Sequence, residues 1–381
     1  MNSLCSRGAI QTSFCLVAVG LLTALVFLGC KKQTHSTTTR VVGWGFNQNG
    51  EATGTRDPRL QGDIVAALKT IATNGAPDPR WATGVVTVAG ALLTNVSAIA
   101  AGVGYSLALM KDGTVHAWGT TYTERLRLTN GLVTFDGQAL TNIAAICAGN
   151  QSVALSRDGM AMTWGFYRQS LFPRIVPDVV AIASGGENVA MVKRDGSIQI
   201  WGPGFEPPSN VNDAVAVALS SSPLGHGIVL RSDHSVLAWG LWHNSACHVE
   251  DAVDIVAIAA GYEHYVALRD DGVVFEWGNY SPSLAGALSG WPAKGLACHP
   301  AKIDGRILDN VVAIAAGGTR SMALKRDGTV VVWGKSDWEH QSSSPGRLSV
   351  PAGLKGVTAI AAGDDFSLAV TTSDPPLPVK K

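Results

Sequence analysis

Few side chains in this 381-residue sequence offer chemistry. Two Cys-His pairs do, and they stand in matching contexts, Ala246-Cys247-His248 and Ala297-Cys298-His299. In an oxidising compartment a disulfide between Cys247 and Cys298 closes a loop of about 50 residues and stabilises a fold by roughly 4 kcal/mol. Unpaired thiols account for the same residues equally well. A zinc site built from the two pairs is the least favoured of the three readings, because neighbours on an extended strand point to opposite faces and do not converge on one ion. Cys147 lies inside an apolar stretch and reads as a small core residue.

Catalysis has less support. There is no Gly-x-Ser-x-Gly elbow, no His-Glu-x-x-His, no Gly-rich lysine loop for phosphate and no Cys-x-x-Cys. The chain is therefore expected not to be an enzyme and to need no cofactor. Glu187, Glu263, Asp364 and Asp365 follow a recurring Ala-Gly segment, where solvated turn carboxylates explain them and an acidic binding mouth is the alternative. His264 beside Glu263 is the residue to test first for catalysis or metal binding. Lys plus Arg equals Asp plus Glu at 29 each, with no basic cluster to neutralise a run of phosphates, so nucleic acid is not an expected partner.

These side chains must be positioned by a repeat. The segment Ala98-Ile99-Ala100-Ala101-Gly102 returns at Ala145, Ala181, Ala257, Ala313 and Ala359, with a degraded copy from Ala216 to Ser220, making seven. An alternating apolar strand follows each, then usually Asp-Gly (Asp112, Asp158, Asp195, Asp271, Asp327), then a strand ending in Trp-Gly. Asp-Gly between alternating strands is the sequence of a tight hairpin in which both central residues adopt positive φ. Charged residues at 15% and 43 Gly suit short strands and turns. Trp-Gly occurs at Trp44, Trp118, Trp164, Trp201, Trp239, Trp277 and Trp333, out of phase with Ala-Gly at both ends. A circular fold explains the offset: an all-β, seven-bladed β-propeller over residues 41–372, whose N-terminal strand Val41 to Gly45 completes the blade begun by Val357 to Thr371 and leaves no open edge.

This unit resembles the regulator of chromosome condensation repeat, and Asn47-Gln48-Asn49-Gly50-Glu51 is similar to that family's segment after Trp-Gly. The His that members often carry after Ala-Gly survives clearly only as His264, with Tyr105, Asn188, Arg320 and Phe366 near its other places. Some repeats are only about 35 residues apart, which resembles the secreted bacterial branch that includes the type II β-lactamase inhibitory protein. That branch binds its target enzyme through propeller loops. Between Gly54 and Ala98 an insertion (55–97) interrupts the pattern, and Asp63 is placed to cap a short helix through about Thr73.

Within four residues after every Trp-Gly another aromatic stands: Phe46, Tyr122, Phe166 with Tyr167, Phe205, Trp242, Tyr280 and Trp338. The seven repeat tryptophans read as blade packing. The second set reads as a partner-binding ring on one face, since Tyr and Trp bury large area at low rotamer cost; the alternative is that they cover gaps between blades.

The first 29 residues read as an export signal, with Arg7 the only charge before an uncharged stretch from Gly8 to Gly29. Phe27-Leu28-Gly29-Cys30 resembles a bacterial lipoprotein signal, which implies a lipidated Cys30, a polar tether over residues 30–40, and, with Lys31 next, the outer membrane. An uncleaved membrane anchor is the rival. The tail, 373–381, is expected to be disordered. The expected function is a cell-envelope lipoprotein, held to the membrane by its N-terminal lipid, that binds an envelope or extracellular protein through the aromatic face. The alternatives are an inhibitor of a secreted or periplasmic hydrolase such as a β-lactamase, and a propeller enzyme or glycan-binding module.

Overall fold

A chain of alternating apolar strands and tight turns can hide its apolar faces only by stacking one small sheet on the next. The computed structural model describes residues 38–373 apart from 49, 56, 59–79, 120–130, 166–173, 204–205, 223–224, 241–252, 279–297 and 335–347. Every element named among these residues is a strand, and no helix among them is long and apolar enough to cross a membrane. The expected helix from Asp63, the signal, the lipidation site Cys30 and the tail from Asp374 lie outside the described residues.

Seven antiparallel sheets of three or four strands carry the repeats. Each is a blade. The first is Val96–Ala101, Tyr105–Met110 and Val115–Gly119, from inner to outer. The inner strands of the next six are Ile143–Ala148, Val179–Gly185, Ala214–Leu219, Ile255–Ala260, Val311–Gly317 and Val357–Ala362. Each inner strand touches the one before and the one after, and Val357–Ala362 touches Val96–Ala101, so the sheets form a ring. The seventh sheet takes Arg40–Phe46 as its third strand, with Val42 opposite Ala369 and Gly43 opposite Leu368. Closure by the N-terminal strand is therefore as the motif phase required. Trp81–Val85, from within the insertion, adds a fourth strand to that blade by pairing with Arg40–Phe46.

The two glycine motifs have different physical causes. The Gly of all seven Trp-Gly pairs has φ between +92° and +152°, a region that L side chains rarely adopt. The Gly of Ala-Gly is needed for space instead. A Cβ on Gly317 would lie 2.4 Å from the Gly363 carbonyl oxygen of the next blade, and one on Gly185 would lie 2.4 Å from that of Leu219. Adjacent blades approach that closely only because no side chain stands between them.

The Asp-Gly turns differ from expectation. Only the Gly has positive φ (Gly113, +84°), and Asp112 does not. Gly113 donates its N–H to the Met110 carbonyl and Met110 to that of Thr114, the pattern of a type I turn followed by a left-handed residue. The Asp carboxylate explains the preference: Asp112 Oδ1 accepts from Thr114 N at 2.9 Å and Thr114 Oγ1 at 2.7 Å, which also holds its pKa below the usual carboxylate range. Turns with both central residues at positive φ occur elsewhere, at Ala89-Gly90, Asp136-Gly137 and Asp304-Gly305, in three short hairpins between blades.

The core is a set of seams between blades. Each repeat Trp packs into the interface with the preceding blade: Trp44 against Ala313, Ala315 and Met322, Trp118 with Ala359 and Leu368, Trp239 with Ala181 and Ala190, Trp277 with Ala216 and Ile228, and Trp333 with Ala257 and Val266. Trp164 and Trp201 share one seam cluster. Trp118 donates its indole N–H to the Glu51 carbonyl at 2.9 Å, and Trp333 to the buried Glu276 carboxylate at 2.9 Å.

Replacing Gly317 with Ala should destabilise the propeller by about 1–3 kcal/mol, because neighbouring backbone must shift. Gly84→Ala, where the nearest atom is 3.9 Å away, should be neutral or slightly stabilising. Urea midpoints of the two variants test this, and equal midpoints would show that blade approach does not depend on the missing side chain.

Candidate functional site

Strand register decides which loops can act together. Gly119 lies opposite Tyr105, Gly165 opposite Gln151, Gly240 opposite His226, Gly278 opposite His264, Gly334 opposite Arg320 and Gly45 opposite Phe366. The Trp-Gly strands thus end beside the start of the middle strands, next to the loops that follow Ala-Gly. The Asp-Gly turns are at the other end of every blade. The Trp-Gly strands therefore end on the face where the loops after Ala-Gly lie.

At the centre of that face is a small cavity. It is ringed by one residue from each inner strand: Ala101, Ala148, Ser184, Leu219, Ala260, Ala316 and Ala362. Small side chains keep it open. Asp364 lines it, and Glu187, Glu263 and Asp365, each partly buried, stand in the equivalent loops. Among the described residues, no group of three or more His, Cys, Asp or Glu side chains is arranged to hold a metal ion.

His264 does not belong to this mouth. It is 2% exposed and its Nε2 lies 2.9 Å from Ser321 Oγ of the next blade. Burial lowers its pKa from the ordinary 6.5 to about 4, so the imidazole is neutral at pH 7. Three other residues at its repeat position, Tyr105, Arg320 and His226, do the same work by other means. Tyr105 OH meets Ser152 Oγ at 2.6 Å. The buried Arg320 guanidinium donates to the carbonyls of Gly363 at 3.0 Å, Asp364 at 3.2 Å, and Phe366. His226, in the degraded repeat, reaches Tyr265 OH at 2.7 Å through Nδ1 and the Tyr262 carbonyl at 2.9 Å through Nε2. Each is a polar rivet to the following blade. Sequence reading missed His226 because Ser220-Ser221-Ser222-Pro223 lengthens its loop and breaks the spacing from Ala-Gly.

Of the predicted aromatic ring, Tyr122, Phe166, Tyr167, Phe205, Trp242, Tyr280 and Trp338 lie outside the described residues. Phe46 lies within them. It is half-buried and sits edge-to-face on Trp81, ring centroids 5.7 Å apart, so at this blade the aromatic seals the joint between Arg40–Phe46 and Trp81–Val85. Cys147 is fully buried, and burial pushes its thiol pKa up, which fits an unreactive core residue. Cys298 is partly buried against the seam of the fourth and fifth blades, and its expected partner Cys247 lies outside the described residues.

A family model for the regulator of chromosome condensation repeat matches residues 255–279 and 311–337, which take in the three successive repeat strands of the fifth and of the sixth blade. The chain carries repeats of this type. Among solved structures it is similar to Prp20p from Saccharomyces cerevisiae (18% identity, 88% of this chain and 92% of that chain, TM-score 0.59). Yeast RCC1 (Prp20) in the Kap60 complex gives 17% identity, 97% and 95% coverage and a TM-score of 0.60. Human WBSCR16 gives 18%, 88% and 99%, and 0.58. At this identity the likeness establishes the propeller fold. No curated protein sequence matches the chain.

Two outcomes are expected. Between pH 6.5 and 4 the unfolded chain binds a proton that folded His264 refuses, so its contribution is full above pH 6.5 and is lost as pH falls toward 4, by about 3 kcal/mol at most. Urea titrations at pH 7 and pH 4.5 should show a smaller acid loss for His264→Gln than for the parent; identical losses would assign the acid sensitivity elsewhere. Phe46→Ala should cost about 1–3 kcal/mol through the lost contact with Trp81, measured as a lowered melting midpoint.

Proposed function

From regulator of chromosome condensation repeats set in a closed propeller, we propose that this chain is a non-catalytic scaffold of the bacterial cell envelope, lipid-anchored at Cys30 and facing the periplasm or cell exterior. It binds another protein through the face on which the Trp-Gly loops open. The observation that carries this reading is the strand register, which gives all those loops one common face around an acidic, Gly-lined mouth.

Two further points support it. The strands Val236–Gly240, Val274–Gly278 and Val330–Gly334 run toward that face and lead into the loops that hold Trp242, Tyr280 and Trp338. Among the solved relatives, Prp20p binds Gsp1p and histones, and Kap60 is bound to Prp20; a propeller of this kind presents a broad loop surface suited to such partners. The partner of this chain would be an envelope or extracellular protein, in keeping with the export signal. Since His264 is buried between blades, the acidic mouth lacks the imidazole that would favour a catalytic or metal-dependent alternative.

Replacing Trp242, Tyr280 and Trp338 together with Ala should lower capture of a partner from solubilised envelope by at least about tenfold, as expected for central aromatic anchors. The melting midpoint should stay within a few degrees of the parent. Undiminished capture would overturn the reading, and a matching loss of stability would make these residues blade packing. Titration against secreted hydrolases, β-lactamases included, reads out whether the partner is an enzyme that the propeller inhibits.

A further inference from the structure

A tethered propeller must turn one of its two ends toward the membrane, and the direction of its closing strand bears on which. We infer that the end carrying the Asp-Gly turns is a lipid-facing surface that rests on phospholipid headgroups, leaving the Trp-Gly loops pointing away; this rests on the lipid-tether reading above. Arg40 begins its strand at the Asp-Gly end, bridged to Thr94 and opposite Thr371. It stands only ten positions along the chain from Cys30. A flexible tether of that length has a root-mean-square span of roughly 18 Å and cannot exceed about 35 Å. A strand of five or six residues alone separates the two ends by about 17–20 Å, before the loops are added. The tether's root therefore lies on the near side by the full height of a blade.

The same end has the surface chemistry of a membrane contact. Leu92, Ile175, Val253 and Ile307 are 50–56% exposed. All four lie in or beside the connections that enter inner strands at the Asp-Gly end, distributed around the ring. The opposite end has Val103, at 37%, as the one large apolar side chain of this class among the described residues. Single exposed aliphatics are ordinary on any surface; here they share an end with the anchor's point of attachment. At the Asp-Gly turns Lys111, Arg157, Arg194 and Arg326 are each balanced by the adjoining carboxylate of Asp112, Asp158, Asp195 and Asp327, whereas the other mouth offers Glu187, Glu263, Asp364 and Asp365, with Arg320 buried beneath.

The full lipidated chain, reconstituted in vesicles of phosphatidylethanolamine and phosphatidylglycerol, tests this with p-benzoylphenylalanine at Leu92, Ile307 or Val103. Irradiation should give severalfold more phospholipid adduct at Leu92 and Ile307 than at Val103. Equal yields, a higher yield at Val103, or adducts to protein in place of lipid at Leu92 and Ile307 would overturn the orientation. Mass spectrometry of the N-terminal peptide separates the two layers of the argument. With diacylglycerol on Cys30 those outcomes overturn the orientation alone, whereas an unmodified Cys30 overturns the tether reading and the orientation with it.

Discussion

Wedge-shaped sheets stacked around an axis leave two raw faces until the last meets the first, and in this chain backbone hydrogen bonds between Arg40–Phe46 and Phe366–Thr371 make that join. The seventh blade is assembled from both ends of the folded region, so its inner strand can pack on Val96–Ala101 of the first blade while its third strand carries Trp44 into the seam with the sixth. The seams from the first blade to the sixth are local in sequence. The closing pairing couples residues more than three hundred apart, and without it the ring would expose two apolar blade faces.

What each seam demands explains the composition. Ala-rich inner strands and the glycines at their ends let backbones approach, Trp fills the space farther out, and a polar group at the start of the middle strand crosses to the next blade. The residue at that crossing varies freely in chemistry, as Tyr105, His226, His264 and Arg320 show, because the neighbour offers carbonyls and hydroxyls to any polar group of suitable reach. Burial makes each crossing costly to leave unpaired. His264 illustrates the balance, keeping its hydrogen bond to Ser321 by remaining uncharged.

Much of this was legible before any coordinates. The offset between Trp-Gly and Ala-Gly was enough to infer a ring closed by the N-terminal strand, since a repeat that starts and stops out of phase must share a unit between its ends. Turn geometry was less legible. Asp-Gly was read as a two-residue turn, whereas the Asp side chain favours a longer one by capping the second amide beyond it; the true paired positive-φ turns at Asp136-Gly137 and Asp304-Gly305 were visible as sequence but overlooked. Trp81–Val85 was hidden inside an apparent insertion because a strand of intermediate burial has no strong alternation. That the Trp-Gly strands end on the same face as the acidic turns follows only from strand direction, which motif spacing alone does not reveal. Phe46 shows the remaining limit, since an aromatic after Trp-Gly has the same sequence signature whether it faces a partner or, as here, a neighbouring strand.

The closing strand also sets an order of events. Arg40–Phe46 leaves the ribosome before any blade exists, and its partner Phe366–Thr371 is the last strand to be made. Bringing together segments so far apart must await the intervening blades, and such non-local pairing slows folding. Throughout synthesis the edge of Arg40–Phe46 that Phe366–Thr371 will cover stays open, which obliges it to be shielded from other edges until the ring is complete.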